Sequence, residues 1–353
     1  MRFIYLVLFT SFSNFLVAQE AFTFFDQVID PGTKKEVIIP INDRRDSTYI
    51  PVTVLHGARK GPVLGITAGV HGYEYPPILA AQKIVSKVDV AQLKGTIILV
   101  QLANVAGFLG RSPFVNPIDG KNLNRSFPGK KDGTITEKIA HAITKHVISK
   151  SDFFVDMHAG DSPEDLMPYN AWYSSEAFPD ASQKGKEMAL SMGYDYAVIF
   201  QIPEERISKP SIYCSQEASH RKIPTIDIEC GRLGIPGTDE TDKIVSSIFR
   251  LLAHLNMTAK TIENEPDMFF AYNNGITATA DAIEFEKENS QLFITSVKNL
   301  QIVNGGQTVA SIHRAKTRDR SDISGVRVQA KVTEVESVES EKLADLVSDI
   351  SRY

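Results

Sequence analysis

Short apolar runs alternate with helical patterns through roughly the first 258 residues of the chain. Apolar-rich runs at 63–68, 96–102 and 153–157 are bounded by turn residues, which is typical of buried strands. Between them, apolar residues recur every three or four positions, as in an amphipathic helix, at Ile78, Leu79, Ala81, Ile84 and Val85, and again at Ile139, Ala142, Ile143 and Val147. Further strands are predicted at 37–41, 49–55, 197–200 and 224–231, and further helices at 181–192 and 239–255. The alternation predicts an α/β fold.

Two potential metal ligands, His71 and Glu74, follow the run 63–68 within a glycine-flanked turn. In open α/β sheets, ligands bind beyond the carboxyl ends of strands, so both side chains are well placed to face one cation. Zinc accepts imidazole and carboxylate ligands, and a catalytic zinc keeps a further position for water. Two ligands are too few, so this hypothesis requires a third ligand and a base from elsewhere in the chain.

His158 and Glu229 stand at the ends of two later predicted strands. His158 closes the run 153–157 and so repeats the placement of His71, which favours a metal ligand over a purely structural histidine. Asp156 or a backbone carbonyl could orient its ring. Glu229 is the candidate general base and shares one side of its strand with Asp227. The alternatives for Glu229 are a surface carboxylate and a fourth metal ligand.

A long polar loop is predicted over residues 104–131. It contains Arg111 and the block 119–129 (DGKNLNRSFPG). Loops of this length inside a compact domain tend to be functional, and Asn and Arg side chains suit the binding of a carboxylate or an oxyanion. The alternative is a solvated connecting loop.

Length, charge and cysteine content narrow the possible classes of protein. A chain of 353 residues predicts two domains. The net charge of −5 is mild and argues against nucleic acid and anionic membranes as partners. Cys214 and Cys230 are expected to be buried thiols, although they could pair in an exported chain. No feature of the sequence specifies an oligomeric state.

Residues 1–18 have the pattern of a secretory signal peptide. Arg2 precedes the apolar run 3–9, and polar residues separate that run from a small residue, Ala18. The run is too short for a spanning helix, so cleavage near Ala18 is expected, with export to the periplasm or the extracellular space. No membrane contact is expected after cleavage.

Four ordered blocks resemble the succinylglutamate desuccinylase/aspartoacylase branch of the zinc-carboxypeptidase-like metallohydrolases. They are 69–74 (GVHGYE), 119–129, 156–160 (DMHAG) and 226–231 (IDIECG), and the resemblance covers about residues 35–258. It implies a mixed central sheet flanked by helices and one zinc ion per chain, bound by His71, Glu74 and His158.

The same resemblance implies roles for the remaining site residues. The implied reaction is zinc-dependent hydrolysis of an amide bond in an N-acyl amino acid or a small peptide-like substrate. Glu229 is implied to be the general base and acid, and Arg111 to polarise the scissile carbonyl. The implied substrate-binding residues are Asn124, Arg125 and Tyr213.

The chain changes character from about residue 266. Strands are predicted within 268–277, around an Asn-Gly turn, and at 292–295, 300–303 and 326–335, with helices beginning near 306 and spanning 341–351, so this part forms a smaller α+β segment. The blocks 269–277 (FFAYNNGIT) and 301–308 (QIVNGGQT) resemble the abortive-infection phage-resistance (AIPR) family.

We therefore interpret the chain as a chimera. Its parts are a signal peptide (1–18), a zinc metallohydrolase catalytic domain (19–258) and an AIPR-like α+β fragment (259–353). The β-rich domain that commonly follows the catalytic domain in the first family has no counterpart here, and the join is either a gene fusion or an artefact of sequence assembly. AIPR proteins are expected inside the cell, which conflicts with a signal peptide. The alternative function is a phage-defence or binding module with little or no hydrolase activity.

Overall fold

A computed structural model of the protein describes residues 19–43, 46–258, 276–288, 291–317, 323–324, 326 and 328–334. The predicted signal peptide, the predicted turn at 268–275 and the predicted helix at 341–351 lie outside these residues. Within the described ranges, no helix has both the length and the hydropathy that a membrane crossing requires.

The strands of the larger part build one eight-stranded sheet and a small two-stranded one. The small sheet pairs β1 with β2, and the large sheet has the order β3-β4-β6-β5-β7-β10-β8-β9. The strands are β1 (Phe22–Phe24), β2 (Gln27–Ile29), β3 (Thr33–Asp43), β4 (Asp46–His56), β5 (Arg59–Ala68), β6 (Lys94–Val100), β7 (Phe153–His158), β8 (Tyr169–Ser174), β9 (Ala197–Gln201) and β10 (Thr225–Glu229).

The centre of the large sheet is parallel, antiparallel pairs adjoin it on both sides, and the edge pair β8 and β9 is again parallel. Strand β5 runs parallel to β6 and β7, and β7 runs parallel to β10. The antiparallel neighbours are β3 with β4, β4 with β6, and β8 with β10. Because the central strands share one direction, the carboxyl ends of β5, β7 and β10 meet at the same edge of the sheet, where ligands bind in open α/β folds.

Helices cover both faces of this sheet. They are α1 (Tyr75–Lys87), α2 (Val105–Gly110), α3 (Ile135–His146), α4 (Pro179–Ser191), α5 (Glu204–Ile207), α6 (Cys214–His220) and α7 (Thr238–His254). One apolar core contains side chains of α1, α4 and α7, and the other contains side chains of α3 and α6. The spacing of apolar residues along the helices explains this packing. In α7, Ile244, Ile248, Leu251 and Leu252 recur on one face and are fully buried.

The C-terminal segment contains two small sheets and one helix in its described part. The three-stranded sheet has the order β14-β11-β15, and β12 pairs with β13 as an antiparallel hairpin. These elements are β11 (Ile276–Ala280), β12 (Ala282–Glu288), β13 (Gln291–Lys298), β14 (Gln301–Asn304), α8 (Gly306–Thr317) and β15 (Ala330–Glu334).

The predicted fold class, a mixed sheet flanked by helices with a smaller sheet-rich segment after it, is confirmed. Two details differ from the sequence expectation. The sequence predicts no strand where β8 lies, and the predicted long loop contains helix α2 and a 3-10 turn, Leu123–Arg125. Cys214 and Cys230 are both free and buried, as expected.

Candidate metal and catalytic site

The turn after β5 presents His71 and Glu74. Gly69 has a φ of 65°, a left-handed conformation that suits glycine. A side chain at Gly72 would collide with the backbone of Phe108 in α2, so the turn packs closely against that helix. Glu74 occupies the N-cap position of α1, where a carboxylate is favourably placed. Its Oε1 lies 2.7 Å from Nδ1 of His71.

His158, the last residue of β7, faces the same carboxylate. Its Nδ1 lies 3.0 Å from Oε2 of Glu74, and its Nε2 lies 3.0 Å from Oδ2 of Asp156. The Asp156 carboxylate also accepts a hydrogen bond from Thr67. Both ring nitrogens of His158 therefore face carboxylate oxygens, which only accept hydrogen bonds. Burial alone would lower the pKa of His158, but Asp156 and Glu74 outweigh it and raise that pKa well above its usual value.

The three side chains form a buried cluster that fits a divalent cation. One ligand atom from each of His71, Glu74 and His158 lies within 4.8 Å of the others. Burial alone would raise the pKa of Glu74, but the two imidazoles outweigh it and lower that pKa to about 2. Two imidazoles and a carboxylate are also the protein ligands of several catalytic zinc sites. The donor set and its convergence therefore form a possible site for a divalent metal ion.

Glu229 lies beside this cluster because of strand register. Glu229 is the last residue of β10, and it pairs across the sheet with His158 on one side and with Tyr169 on the other. Burial raises the pKa of Glu229 to about 8, against the opposing charge of His158. Burial and the neighbouring Glu229 raise the pKa of Tyr169 to about 12, so its hydroxyl remains protonated. A carboxyl with a raised pKa next to a metal-ligand cluster is suited to proton transfer.

A second buried carboxyl, Asp227, lies two residue pairs further into the sheet. It pairs with Asp156 in the strand register. Its Oδ2 accepts a hydrogen bond from the Tyr173 hydroxyl at 2.8 Å. Burial, followed by the nearby Asp156, raises the pKa of Asp227 to about 7.

The loop 119–129 brings the predicted substrate-binding residues together. The guanidinium carbon of Arg125 lies 4.6 Å from the centre of the Tyr213 ring, and Arg125 donates a hydrogen bond of 2.7 Å to the carbonyl of Asn124. The Asn124 side-chain oxygen accepts from the backbone N–H of Cys214 at 2.9 Å. The Asn124 amide nitrogen and the exposed Arg125 guanidinium retain donors that a carboxylate can accept.

Arg111 is placed differently. It is the C-cap of α2, with a left-handed φ of 49°, and it is exposed. Burial raises the pKa of Tyr75, and the positive charge of Arg111 partly opposes that increase. None of the contacts that join His71, Glu74 and His158 involves Arg111.

Two neighbours of the site were not singled out from the sequence. Asn122 contacts His71 Nε2 at 3.1 Å, although it lies inside the block 119–129. Tyr169 lies in β8, which the sequence does not predict, so no sequence signal connects it with Glu229.

A mixed α/β sheet with this cluster at the carboxyl ends of its central strands has the fold of the zinc-carboxypeptidase-like metallohydrolases. Residues 60–255 match the family described as the succinylglutamate desuccinylase/aspartoacylase catalytic domain. Because the match covers more than half of the chain, the protein belongs to this family. Residues 257–353 match a second family, the AIPR proteins.

Individual relatives agree with this assignment. An N-alpha-acetyl-L-2,4-diaminobutyric acid deacetylase from Halomonas elongata is 39% identical over 165 residues, which cover 46% of this chain and 46% of that protein. The chain thus aligns with about half the length of this curated relative.

Two crystal structures show the same fold. A succinylglutamate desuccinylase/aspartoacylase from Rhodobacter sphaeroides has a TM-score of 0.59 and 22% identity, over 66% of this chain and 69% of its own. The product-bound ectoine utilization protein EutE (DoeB) from Ruegeria pomeroyi has a TM-score of 0.58 and 22% identity, over 72% of this chain and 78% of its own.

Proposed function

We propose that the protein is a zinc-dependent hydrolase that cleaves the amide bond of an N-acyl amino acid or a small peptide-like substrate. The observation that carries this proposal is the convergence of His71, Glu74 and His158 with Glu229 next to them in the strand register. Family membership supports amide hydrolysis, and the donor set supports zinc.

His71, Glu74 and His158 would hold the zinc ion. When bound there, zinc lowers the pKa of water and polarises a carbonyl group. Both imidazoles contact the Glu74 carboxylate through Nδ1, so the three side chains converge on the place where a cation would be held.

Glu229 is the proposed general base and acid. Its carboxylate accepts a proton from the attacking water as the new C–O bond forms at the carbonyl carbon. It then gives that proton to the amide nitrogen as the C–N bond breaks, which releases a carboxylic acid and a free amine. The nearby protonated Tyr169 hydroxyl adds no charge to this environment.

Asn124 and Arg125 are the proposed anchor for the substrate carboxylate. Tyr213 is proposed to hold the Arg125 guanidinium in place, because that group lies over the Tyr213 ring. Arginine suits this role because its planar group can hold a carboxylate through two hydrogen bonds. Arg111 is proposed to stabilise the negative charge on the carbonyl oxygen in the transition state, a contribution of about 3 kcal/mol for one such donor.

A substrate panel tests the proposal. The Halomonas relative is named for N-acetylated diaminobutyric acid, so N-acetyl and N-succinyl forms of cationic, anionic and neutral amino acids form a suitable panel. The zinc-loaded protein is expected to release free amine from at least one of them, and Glu229→Gln protein serves as the matched blank. If no compound is cleaved faster than with that blank, the hydrolase proposal is wrong.

We also propose that residues 1–18 are a cleaved signal peptide and that 19–258 and 259–353 are separate domains, with the enzyme acting outside the cytoplasm. The pattern of Arg2, a short apolar run and Ala18 supports export. N-terminal sequencing of the protein purified from its natural source is expected to begin near Gln19. A chain that retains Met1 would refute cleavage of a signal peptide.

A second candidate role concerns residues 257–353. Their match to the AIPR family favours a binding or phage-defence role for this segment. Comparing phage infection of cells that carry the full chain or the chain without 259–353 tests this role. Equal protection by both would rule it out.

A further inference from the structure

Three buried polar side chains join β8, β10 and α6 next to the candidate site. The hydroxyl of Tyr173 in β8 donates a hydrogen bond of 2.8 Å to Oδ2 of Asp227 in β10, and it lies 2.7 Å from Oγ of Ser215 in α6. All three side chains are buried. Burial, followed by the charge of Asp227, raises the pKa of Tyr173 well above its usual value, so the hydroxyl keeps its proton and can bond both neighbours.

The residues that begin α6 also contact the proposed substrate anchor. The Tyr213 ring centre lies 4.6 Å from the guanidinium carbon of Arg125. The backbone N–H of Cys214 donates to Oδ1 of Asn124 at 2.9 Å. Because Tyr213, Cys214 and Ser215 are consecutive, a displacement of Ser215 would also displace both contacts with the anchor.

The proposed base lies at the other end of this connection. Asp227 and Glu229 are two residues apart in β10 and therefore point to the same face of the sheet. Pairing with β7 and β8 fixes the backbone of β10, whereas α6 is a helix of seven residues that contributes the small side chains Cys214 and Ala218 to its apolar core. So little apolar contact leaves the position of α6 dependent on its polar contacts.

We propose that Tyr173 is a positioning residue that, by bonding Ser215 and Asp227 together, holds α6 against β10 and sets the distance between the substrate anchor and Glu229. The inference deepens the proposed function and rests on it for the roles of the anchor and the base. A fixed distance selects substrates by the separation of their carboxylate from the amide bond, because both groups must reach their partners at once.

Hydrogen exchange tests the connection without any need for hydrolysis. Tyr173→Phe keeps the ring, whose centre lies 5.5 Å from that of Phe200, but removes both hydrogen bonds. Backbone amides at 214–220 of the full-length variant are expected to exchange about 5- to 10-fold faster than in the wild type. Exchange at the wild-type rate would overturn the proposal.

Two further variants test whether the three side chains act together. Adding Ser215→Ala to Tyr173→Phe is expected to cause no further acceleration, because the first change already breaks their contact. Asp227→Asn retains an oxygen for Tyr173, so its exchange at 214–220 is expected to stay within about 3-fold of the wild type. Additive effects in the double variant would overturn the proposal.

Ser182 provides a matched control for Ser215. Its Oγ accepts the backbone N–H of Ser175 at 3.0 Å, so it joins the end of β8 to a different helix, α4. Ser182→Ala and Ser215→Ala each remove one serine hydroxyl from a helix that contacts this strand. Only Ser215→Ala is expected to accelerate exchange at 214–220, and equal acceleration by both would overturn the proposal.

Substrate selectivity gives a readout that a general loss of stability would not change. The pair to compare is the N-acyl α-amino acid that the wild type cleaves best and its homologue with one more methylene between the carboxylate and the amide nitrogen. The wild type is expected to favour the first, and Tyr173→Phe is expected to reduce the ratio of their kcat/KM values by about 5- to 10-fold. An unchanged ratio would overturn the positioning role.

The two kinds of measurement separate this inference from the proposed function. A zinc-loaded wild type that cleaves no N-acyl amino acid refutes the proposed function, whereas the exchange rates at 214–220 still decide whether Tyr173 holds α6. Conversely, normal hydrolysis together with unchanged exchange and selectivity in Tyr173→Phe refutes the positioning role alone.

Discussion

The two regions of the chain differ in how far they bury their apolar side chains. Residues 19–258 enclose two extensive apolar cores on opposite faces of the eight-stranded sheet. In the described part of 276–334, the fully buried apolar side chains are Ala278 and Ala280, while Phe285, Phe293 and Ile294 are about half exposed. Both regions have strands of similar apolar content, so composition alone does not distinguish them.

This difference in burial indicates which region can hold a metal site. A metal site needs ligands held in place by packing, and His71, Glu74 and His158 all extend from elements that are buried in the large region. We therefore assign the proposed hydrolysis to 19–258.

The largest expected effect comes from removing the proposed proton carrier. Glu229→Gln keeps the size of the side chain but cannot accept the proton, so kcat is expected to fall by about 10²- to 10⁴-fold. Zinc content, measured by mass spectrometry, is expected to stay unchanged because Glu229 is not one of the three ligands. Normal turnover in this variant would remove Glu229 from the mechanism.

The next effect concerns packing. Ile66 is fully buried in the central strand β5, so Ile66→Ala is expected to cost about 2–5 kcal/mol of unfolding free energy, and Ile66→Val only about 0.5–1.5 kcal/mol. Urea unfolding followed by circular dichroism measures both. A loss below 1 kcal/mol for the alanine variant would show that the buried core around β5 contributes less to stability than its burial indicates.

A pH effect is expected from Asp227. Its pKa is raised from 3.8 to about 7 in the folded protein, so the protonated form favours folding. This stability is complete below pH 4 and is lost as the pH rises towards 7. Metal-free Asp227→Asn cannot ionise and retains an oxygen for Tyr173, so its Tm relative to wild type is expected to increase by a few degrees over that interval. A constant difference in Tm would contradict the raised pKa.

The smallest effect is expected in the C-terminal hairpin. Phe293 is 47% exposed, so Phe293→Ser is expected to change the unfolding free energy by no more than about 0.5 kcal/mol. Binding of a hydrophobic dye is expected to fall, while zinc content and kcat/KM remain at the wild-type level. A clear loss of kcat/KM would show that the C-terminal segment helps to shape the site.

Much of the larger region was predictable because its signals are local. The run 63–68 and the helix that carries Ile244 and Ile248 have periodicities that their burial explains. The paired histidines at strand ends could be connected because parallel strands place their carboxyl ends together.

What the sequence did not reveal depends on contacts between distant segments. Strand β8 lacks a clear alternating pattern, because the consecutive residues Ala171, Trp172 and Tyr173 are all buried, so both faces of the strand are covered. The contact of Asn122 with His71 joins residues 51 positions apart. Likewise, the raised pKa values of Asp227 and Glu229 follow from burial, which no motif encodes.

Titration of zinc into chelator-stripped protein, with release of free amine from the best N-acyl amino acid as the signal, tests the central assignment most directly. We predict no hydrolysis before zinc is added, a rise in proportion to zinc, and a plateau at about one ion per chain, as for a single catalytic site. Full activity in the stripped protein, or none at saturating zinc, would contradict the account.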